Sequence, residues 1–589
     1  MNSLLHRLAR EGEISWLSYY FADFIRARDG AAIDSPLALG AALVSEANLA
    51  GNVCVELEHF NGRPLFSGSR TDDPRIPHGL PPAEWSAALA GSSCVGEGGQ
   101  STPLIIEARR LYLNRYWYYE HCVAQKILAM LARDSVNHAG SIEAAITVLF
   151  AGEPDADPDQ ASAVRTAASR AFSVISGGPG SGKTSTVIRI LAVLLAQNPD
   201  YRIALAAPTG KAAARMMDSI RQRLQSLQID STIKAALPLE ARTIHRLLGY
   251  RHHGFGYDAG RRLPVDCVVI DEASMIDLKL MYQLLEALPD HAQLILLGDR
   301  DQLASVAAGN VLGDITGHGH RGETFGQAIA AATSLLRSSY RFGRDSAIGE
   351  LARQVRLGDA NSAIDLLRTT SPGLRWFADT APADGAEQIH ADALAWLSDA
   401  YQPIFTSDTV AQALDAYEQT RLLCATNRGP FGVDTLNAQL STVLLARNHQ
   451  PQAELFAGLP IMITRNFQEL GLFNGDVGML WSFESELRAC FRGVDDAIRD
   501  FAINRLPEFR PAWASTVHKS QGSEFDSVLL LLPADPQAEV LTRELLYTGI
   551  TRARREFLLH APDAVVIQAI SRLTRRHSGL ASKLGWPQV

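Results

Sequence analysis

The sequence predicts an α/β fold made of two parallel-sheet units, preceded by a mainly helical N-terminal domain. Beyond about residue 155, short β-branched and apolar runs alternate with helical stretches, which is typical of βαβ units and a parallel sheet. A similar alternation resumes after about residue 345. The 589 residues also exceed what one hydrophobic core accommodates, so several domains are expected.

Changes in composition mark the domain boundaries. The N-terminal part is rich in helix-forming and clustered aromatic residues, and the polar stretch AGEPDADPDQ at 151–160 ends it. Near the end of the chain, a stretch around Asn474-Gly475 indicates antiparallel strands joined by a turn, hence a small β-barrel-like insertion. The predicted domains are 1–150, 151–345 and 346–589, with the insertion at about 440–512.

Bulk composition restricts the class of protein without giving a function. The six cysteines are scattered without a CxxC pair, which argues against a zinc site, an iron–sulfur cluster or a disulfide framework. No apolar run can span a bilayer and the N-terminus has no signal-type region, so we expect a cytoplasmic protein without a membrane partner. The net charge of −9 leaves a nucleic-acid partner open, because phosphate contact needs only a local basic channel.

A glycine-rich loop after the first predicted strand satisfies the pattern G-x4-G-K-[ST]. Its backbone N–H groups can converge on phosphate oxygens, and the helix that follows presents its positive N-terminus. Lys183 is expected to reach the β- and γ-phosphates, and the Thr184 hydroxyl to ligate Mg²⁺. The ATP-binding residues predicted here are Gly177, Gly178, Pro179, Gly180, Ser181, Gly182, Lys183 and Thr184.

Two later strands end in polar residues suited to hydrolysis. The apolar run Val265–Ile270 precedes Asp271 and Glu272, of which the first is expected to hold Mg²⁺ and the second to take a proton from the attacking water. The strand QLILLG precedes GDRDQ, and a parallel sheet would bring Gln302 to the same edge as the glycine-rich loop. Gln302 can then bond the γ-phosphate or the attacking water.

Two arginines from separate halves of the chain complete the predicted catalytic set. Arg341 lies in SSYRF and Arg552 in YTGITRARRE. An arginine reaching the γ-phosphate from each side stabilises transition-state charge and makes domain closure depend on ATP. The alternative for the second stretch is a solvated basic helix face.

Eight motifs in this order make the chain resemble the superfamily 1 DNA helicases, and more closely the RecD family, α subunits of bacterial exonuclease V (RecBCD). The resemblance covers about residues 155–582 and implies two RecA-like motor domains, an SH3-like insertion, and ATP and Mg²⁺ as cofactors. It also implies a subunit of exodeoxyribonuclease V that acts with RecB-like and RecC-like subunits in a heterotrimer. The motifs are GGPGSGKTSTV, AAPTGKAAARM, TIHRLLG, VVIDEASMID, LLGDRDQLASV, SSYRFG, STVHKSQGSEFD and ELLYTGITRARR.

The resemblance also implies roles for residues whose spacing alone does not indicate a role. Gln160 occupies the position that reads the adenine edge, and Tyr340 the position that stacks on the base. A second group would line a single-strand channel through contacts to phosphates that do not read sequence. This group comprises Pro208, Thr209, Lys211, Thr243, His245, Thr516, His518 and Lys519.

Two sequence differences from the 3′→5′ branch of these helicases predict the direction of movement along DNA. Residues 303–309 lack the aromatic base-stacking side chains of that branch, and the hairpin-like stretch 249–264 resembles the pin of the 5′→3′ branch. We expect 5′→3′ movement along the 5′-ended strand of a duplex end. No nuclease cluster is evident, so DNA cleavage is expected in a partner subunit.

Two alternative functions stay open at this point. The chain could be a stand-alone 5′→3′ repair helicase, although residues 1–150 show no convincing helix-hairpin-helix glycine motifs. It could also be a P-loop NTPase that acts as a switch without translocating. Co-purification with two large subunits would distinguish the motor subunit from a stand-alone helicase. Stimulation of ATP hydrolysis by single-stranded DNA would distinguish a translocating motor from a switch.

Overall fold

The computed structural model of the chain defines three domains and a C-terminal segment. The described residues are 3–66, 76–133, 139–151, 157–226, 230–251, 254–317, 326–341, 346–369, 371–378, 389–467, 469–484, 486–493 and 496–586.

In the N-terminal domain, helices pack against a small sheet of strand order β1-β4-β3-β2, whereas the last helix of this part, through Ile142 and Ile146, packs against helices of the α/β domain that follows. Prediction of a mainly helical domain missed this sheet, because its strands are only two to four residues long and show no alternating pattern. Trp85 and Tyr112 are buried at its centre. The elements are α1 (Leu4–Glu11), α2 (Trp16–Asp29), α3 (Pro36–Leu49), β1 (Cys54–Glu56), α4 (Pro82–Ala90), β2 (Val95–Gly96), β3 (Leu104–Glu107), β4 (Arg110–Leu113), α5 (Asn114–Ala132) and α6 (Ala139–Leu149).

The first α/β domain, which we define as residues 157–341, is built on a six-stranded parallel sheet of order β10-β5-β9-β8-β6-β7. Its central strands are buried on both faces, which explains why their sequences read as continuous apolar runs. The elements are α7 (Pro158–Ser169), β5 (Phe172–Gly177), α8 (Lys183–Gln197), β6 (Ile203–Ala207), α9 (Gly210–Ser226), α10 (Ser231–Ala236), β7 (Ala241–Thr243), α11 (Ile244–Leu247), β8 (Cys267–Ile270), α12 (Leu278–Ala287), β9 (Gln293–Gly298), α13 (Val311–Thr316), α14 (Gln327–Ala331) and β10 (Thr333–Leu336).

The second α/β domain, residues 346–571, contains a five-stranded parallel sheet of order β11-β20-β19-β12-β18. The sequence prediction of two parallel-sheet units is therefore confirmed. The elements outside the insertion are α15 (Ala347–Leu357), α16 (Ala360–Arg368), β11 (Leu374–Phe377), α17 (Ala391–Phe405), α18 (Val410–Gln419), β12 (Thr420–Cys424) and α19 (Val433–Arg447) before it, and β18 (Ala514–Thr516), β19 (Phe525–Leu531), α20 (Arg543–Ile550), β20 (Ala553–His560) and α21 (Asp563–Ser571) after it.

An antiparallel sheet of order β16-β15-β14-β13-β17 is inserted between α19 and β18. Gly475, at φ +95°, lies in the turn that leads into β14, as the Asn474-Gly475 pair predicts. No hydrogen-bonded ladder joins β16 to β17 among the described residues, so closure into a barrel stays a prediction. The strands are β13 (Pro460–Ile463), β14 (Val477–Phe483), β15 (Glu486–Arg492), β16 (Ile498–Ala502) and β17 (Phe509–Pro511).

The C-terminal segment, residues 572–586, leaves the second α/β domain and packs against the other two domains. It contains α22 (Leu580–Lys583). The buried Glu120 carboxylate of the N-terminal domain accepts hydrogen bonds from the Gly579 N–H at 2.7 Å and the Ser578 hydroxyl at 3.0 Å. Trp586 donates its indole N–H to the Ile315 carbonyl of the first α/β domain at 3.1 Å. The predicted range 346–589 thus includes a segment that connects all three domains.

Within the described part of the chain, no helix combines the length and apolar character needed to cross a lipid bilayer.

Candidate active site

The glycine-rich loop joins β5 to α8 at the carboxyl edge of the first sheet. Gly180 and Gly182 have φ values of +75° and +84°, which residues with a side chain adopt only under strain. Lys183 is the first residue of α8, and its ammonium group donates hydrogen bonds to the Gly177 carbonyl at 2.5 Å and the Gly178 carbonyl at 3.1 Å. The loop therefore holds a cation at the N-terminus of a buried helix, an arrangement that binds phosphate.

The segment 339–341 follows β10 and runs beside this loop. The Tyr340 N–H donates to the Gly180 carbonyl at 2.8 Å, and the Ser339 hydroxyl to the Pro179 carbonyl at 3.3 Å. A Cβ atom at Gly180 would lie 2.3 Å from Cβ of Arg341, so only glycine permits this approach. The structure thus brings Tyr340 and Arg341 to the loop, and the contacts that we predict for them with a bound nucleotide stay predictions.

Gln160 and Tyr340 meet at the last glycine of the loop. A Cβ atom at Gly182 would lie 2.3 Å from Gln160 Nε2 and 3.6 Å from Tyr340 Cε2. The Tyr340 hydroxyl donates to the Asp157 carboxylate at 3.0 Å. An amide and an aromatic ring at the N-terminus of α8 are suited to contact a planar base whose phosphates lie in the loop.

Asp271 and Glu272 follow β8 directly, at the same edge of the sheet. The Asp271 carboxylate accepts the Glu272 N–H at 2.8 Å, and Glu272 has a left-handed φ of +53°, which indicates backbone strain at this position. Burial and the neighbouring Glu272 charge raise the pKa of Asp271, and the Lys183 ammonium opposes that rise. Lys183 and Asp271 are therefore close enough to interact electrostatically.

Gln302 lies in the turn after β9, at the same edge of the sheet as these acids. Its Nε2 donates to Asp299 at 3.1 Å, whereas its buried Oε1 has no hydrogen-bond partner in the described part of the structure. The buried Asp299 carboxylate also accepts the Tyr547 hydroxyl, from α20 of the second α/β domain, at 3.0 Å. Burial and the Asp301 charge raise the pKa of Asp299.

Arg552 lies at the end of α20 and faces the first α/β domain. It is buried, and it donates to the Thr548 and Ser523 carbonyls at 3.1 Å each and to the Thr551 hydroxyl at 3.3 Å. Burial lowers the pKa of Arg552, and the Glu272 carboxylate across the domain boundary opposes this effect. Arg552 is therefore buried where the Glu272 charge influences it, and it does not lie on a solvated face.

Glu524 forms an ion-pair centre between the two α/β domains. Its carboxylate lies 2.8 Å from Arg215 Nη2, 2.5 Å from Arg341 Nη2 and 3.3 Å from Arg554 Nε. Burial alone would raise the pKa of Glu524, but the surrounding guanidinium groups hold it down at about 2. Arg341 is thus paired with a carboxylate of the second domain.

The oxygen donors at this edge fit a magnesium ion. Mg²⁺ in nucleotide sites is held by one or two protein oxygens together with substrate phosphates. Asp271 supplies a carboxylate at the end of β8, and Thr184 supplies a hydroxyl in the first turn of α8. Within the described residues, no group of three or more His, Cys, Asp or Glu side chains is placed to hold a metal ion, here or elsewhere, so the phosphates would have to supply further oxygen ligands.

The predicted DNA-contacting residues of the first α/β domain follow β6 and β7. Thr209 and Thr243 cap the helices that come next, accepting the Ala212 N–H and the Arg246 N–H at 3.2 Å each. The Lys211 ammonium lies 5.8 Å from the ring centroid of Phe525 and so faces the second domain.

His245 lies among aromatic side chains of the stretch 249–264. Its ring is 5.7 Å from Tyr250 and 5.9 Å from Phe255, and burial lowers its pKa. The described part of the stretch is a compact loop with one antiparallel bridge between Arg251 and Gly254, so an extended two-stranded pin is not seen there. Residues 252–253 lie outside the described residues.

The predicted DNA-contacting residues of the second domain follow β18. Thr516 accepts the Lys519 N–H at 3.3 Å, and the Lys519 ammonium lies 3.7 Å from Met462 Sδ on β13 of the insertion. Burial lowers the pKa values of His518 and Lys519. The helix α9, which follows Pro208 and Thr209 and includes Lys211, approaches this segment: Arg215 of α9 donates a hydrogen bond to the Gly522 carbonyl.

Sequence reasoning missed four residues of the site, Asp299, Tyr547, Glu524 and Arg215. All four lie inside motifs that the sequence displays, namely GDRDQ, ELLYTGITRARR, STVHKSQGSEFD and AAPTGKAAARM. Their roles depend on contacts across domains that are separated by about 180 to 310 residues of chain. A tyrosine between two charged positions of the motif ELLYTGITRARR is the sequence signal that could have been noticed.

Three family models match this chain. The RecBCD enzyme subunit RecD N-terminal domain matches residues 10–112, an AAA domain matches residues 160–308, and the UvrD-like helicase C-terminal domain matches residues 511–559. The second match covers the glycine-rich loop and both acids, and the third covers Arg552.

Full-length relatives carry the RecD name. The RecBCD enzyme subunit RecD of Mycolicibacterium smegmatis is 37% identical over 566 residues, covering 94% of each chain. The Haemophilus influenzae RecBCD enzyme subunit RecD is 31% identical and covers 99% of each chain. The ATP-dependent RecD2 DNA helicase of Deinococcus radiodurans is 28% identical and covers 97% of this chain and 72% of that protein. The chain belongs to the RecD family of RecBCD enzyme subunits.

Proposed function

We propose that this chain is an ATP-dependent 5′→3′ single-stranded-DNA translocase and helicase, built on two RecA-like motor domains. It acts as the motor subunit of a helicase–nuclease that processes double-strand breaks for homologous recombination. The supporting observation is a nucleotide site drawn from both α/β domains. The Tyr547 hydroxyl of the second domain donates a hydrogen bond to Asp299 of the first, and the Glu272 carboxylate interacts electrostatically with the buried Arg552.

Hydrolysis follows from the chemistry of this edge. The loop N–H groups and Lys183 bind the phosphates, and Glu272 accepts a proton from the attacking water. Gln302 Oε1 has no hydrogen-bond partner among the described residues, so it would accept a hydrogen bond from that water when the water is bound. Arg552 stabilises the charge that spreads over the γ-phosphoryl oxygens in the transition state. Thr184 and Asp271 would hold Mg²⁺, which neutralises phosphate charge when bound.

Closure of the cleft couples hydrolysis to movement along DNA. Arg341 is paired with Glu524 across the cleft, so a γ-phosphate that attracts Arg341 competes with this ion pair and changes the domain contact. Thr209 and Thr243 lie on one domain, and Thr516 and Lys519 on the other. A single strand held by both groups is therefore shifted when the distance between the domains changes.

The N-terminal domain offers a docking surface for a partner in a heterotrimer with RecB-like and RecC-like subunits. Trp16, Tyr20 and Phe24 recur every four residues of α2, and they are 44%, 63% and 57% exposed. Exposed aromatic side chains on one helix face are enriched at protein interfaces. Changing all three to serine should abolish co-purification with the partners and leave ATP hydrolysis by the chain intact.

Two measurements decide between this function and its alternatives. Stimulation of ATP hydrolysis by single-stranded DNA is expected, and its absence would favour a switch that does not translocate. Co-purification with two large subunits is expected for the motor subunit. A fully active chain that purifies alone would favour the stand-alone helicase. The similarity to the RecD2 helicase is the observation that supports this alternative.

A further inference from the structure

Near its start, the C-terminal segment crosses from the second α/β domain to the first over a very short stretch of chain. Thr574 is still bound to the second domain, because its N–H and hydroxyl groups donate to the buried Glu544 carboxylate at 2.9 and 2.7 Å. Arg576 is already bound to the first domain, because its Nη1 donates to the Ala307 and Gly309 carbonyls at 2.6 and 3.1 Å. We call residues 574–576 the tether.

The first-domain end of the tether is also held by the N-terminal domain. A Cβ atom at Gly51 would lie 3.0 Å from the Arg576 guanidinium carbon, and the Gly309 N–H donates to the Gly51 carbonyl at 3.0 Å. The N–H of the next residue, His577, donates to Asn52 Oδ1 at 2.8 Å. Arg576 therefore lies where the N-terminal domain and the first α/β domain meet.

The length of the tether limits how far the two α/β domains can separate at this point. An extended chain spans at most about 3.6 Å per residue, so Thr574 and Arg576 stay within about 7 Å of one another whatever the domains do. Glu544 lies in the first turn of α20, and all residues from Glu544 to Ile550 are buried. If both ends of the tether hold, the second domain can move only by rotating about the start of α20.

This pivot lies about one helix length from Arg552. Arg552 follows Glu544 by eight residues, which at 1.5 Å per helical residue corresponds to about 12 Å. A rotation of about 10° at the pivot would therefore move Arg552 by about 2 Å. A misplacement of about 1 Å at a reacting centre can cost about 100-fold in rate. The tether consequently lies where it can set the position of Arg552 when the cleft closes.

We propose that Arg576 is a positioning residue for ATP hydrolysis: with the contact between Thr574 and Glu544, it holds the start of α20 at a fixed distance from the first domain and so directs Arg552 to the γ-phosphate. This inference rests on the proposed function of Arg552. In the described part of the structure, Arg576 donates no hydrogen bond to the glycine-rich loop or to the acids that follow β8. Its effect on hydrolysis therefore passes through Arg552.

Steady-state hydrolysis by the full chain at saturating single-stranded DNA tests this role. Arg576→Met removes both hydrogen bonds to the first domain and keeps an unbranched side chain. We expect kcat to fall by about 10- to 100-fold, while the affinities for ATP and for DNA change by less than about threefold. DNA affinity is included because burial and the Arg576 charge both lower the pKa of His518, a predicted DNA contact. An unchanged kcat in the folded variant would overturn the proposal.

A double-mutant cycle with Arg552 distinguishes positioning from a general loss of structure. If Arg576 acts through Arg552, adding Arg576→Met to Arg552→Ala should lower kcat by less than about twofold further. A further loss of about tenfold or more would show that Arg576 acts elsewhere, and would contradict the proposal.

Two substitutions serve as the rescue and the matched control. Arg576→Lys keeps a cationic donor for the two carbonyls, so its kcat should stay at least about threefold above that of Arg576→Met. Arg575→Met removes the same charge from the neighbouring position, where the side chain is exposed and makes no hydrogen bond to a described residue. Its kcat should stay within about twofold of that of the unsubstituted chain. Equal losses in Arg575→Met and Arg576→Met would show an effect of charge alone and would contradict the tether.

Glu544→Ala releases the other end of the tether and provides an independent variant should Arg576→Met fail to fold. It removes the acceptor of both Thr574 hydrogen bonds and leaves Arg576 in place, so kcat should again fall while ATP affinity is kept. Full hydrolysis by Arg552→Ala would overturn the proposed role of Arg552 itself. Loss of hydrolysis in Arg552→Ala, together with a normal kcat in Glu544→Ala, would overturn the tether alone.

Discussion

The acids on one side of the interdomain cleft and the buried arginine on the other side are fixed in different ways. On the first α/β domain, Asp271, Glu272 and Asp299 follow parallel strands directly, so the sheet itself sets their positions. On the second, Arg552 is held by two carbonyls and a hydroxyl at the end of α20. The positions of acids at the carboxyl ends of parallel strands can be predicted from strand order. The position of Arg552 depends instead on how the two domains pack.

The same contrast separates Arg341 and Arg552, the two arginines that we propose to be catalytic. Arg341 forms an ion pair with Glu524, while Arg552 forms no ion pair within the described residues and is satisfied by neutral oxygens. Arg552 is thus preorganised for developing negative charge, and Arg341 must exchange one anionic partner for another. This difference predicts that Arg552 contributes mainly to rate, and that Arg341 contributes to coupling between the domains.

The largest effect is expected from Arg552→Ala. An arginine supplied to a γ-phosphoryl transition state is worth about 10³–10⁵ in rate, so ATP hydrolysis should fall by that factor while ATP affinity stays within a few fold. Stopped-flow hydrolysis and equilibrium nucleotide binding measure the two quantities.

Arg555→Ala is the matched control for this change. The Arg555 side chain is 79% exposed, and its nearest carboxylate, Asp526, is 3.7 Å away. Its removal should cost little activity. Arg554 is a weaker control because it contacts Glu524 at 3.3 Å. Equal losses in Arg552→Ala and Arg555→Ala would show a diffuse basic surface in place of a single catalytic arginine.

The two adjacent acids should differ from one another. Glu272→Gln removes the general base, which typically costs about 10²–10⁴ in rate, but should preserve ATP binding. Asp271→Ala should weaken Mg²⁺-dependent ATP binding itself. Isothermal titration with and without Mg²⁺ distinguishes these outcomes, and an equal loss of ATP affinity in both variants would reverse the assignment.

Lys183→Gln should fold normally and hydrolyse ATP roughly 10²–10³-fold more slowly. Among the described residues, the ammonium group donates hydrogen bonds to the Gly177 and Gly178 carbonyls of the loop, so its loss removes a charge from the phosphates without opening a core. Thermal unfolding without nucleotide should shift little. A variant that retains full activity would show that this loop is not the hydrolytic site.

The smallest expected effect is that of Tyr547→Phe. It removes one hydrogen bond to the buried Asp299 carboxylate across the cleft, worth about 1.5–3 kcal/mol because the acceptor is charged. The ring continues to fill its buried site. We expect lower stability of the domain contact, seen as faster hydrogen exchange in α20, together with a modest loss of DNA-stimulated hydrolysis. Unchanged exchange would show that this bond does not couple the domains.

The sequence predicts the first face of the cleft far better than the second. Strand, loop and helix order is enough to locate Lys183, Asp271 and Gln302 at one edge, because the connections in a parallel sheet are regular. The short strands of the N-terminal domain and the contacts of Glu524 follow from packing between distant segments. The C-terminal segment, whose Gly579 bonds Glu120, likewise gives no local signal.

Unwinding polarity tests the central claim most directly. Duplexes with one single-stranded tail, either 5′ or 3′, would be mixed with the purified chain and ATP, and strand release followed by fluorescence. The proposed 5′→3′ motor should release the strand from the 5′-tailed duplex, and the Lys183→Gln and Arg552→Ala variants should not. Release from the 3′-tailed duplex alone, or release that persists in both variants, would contradict it.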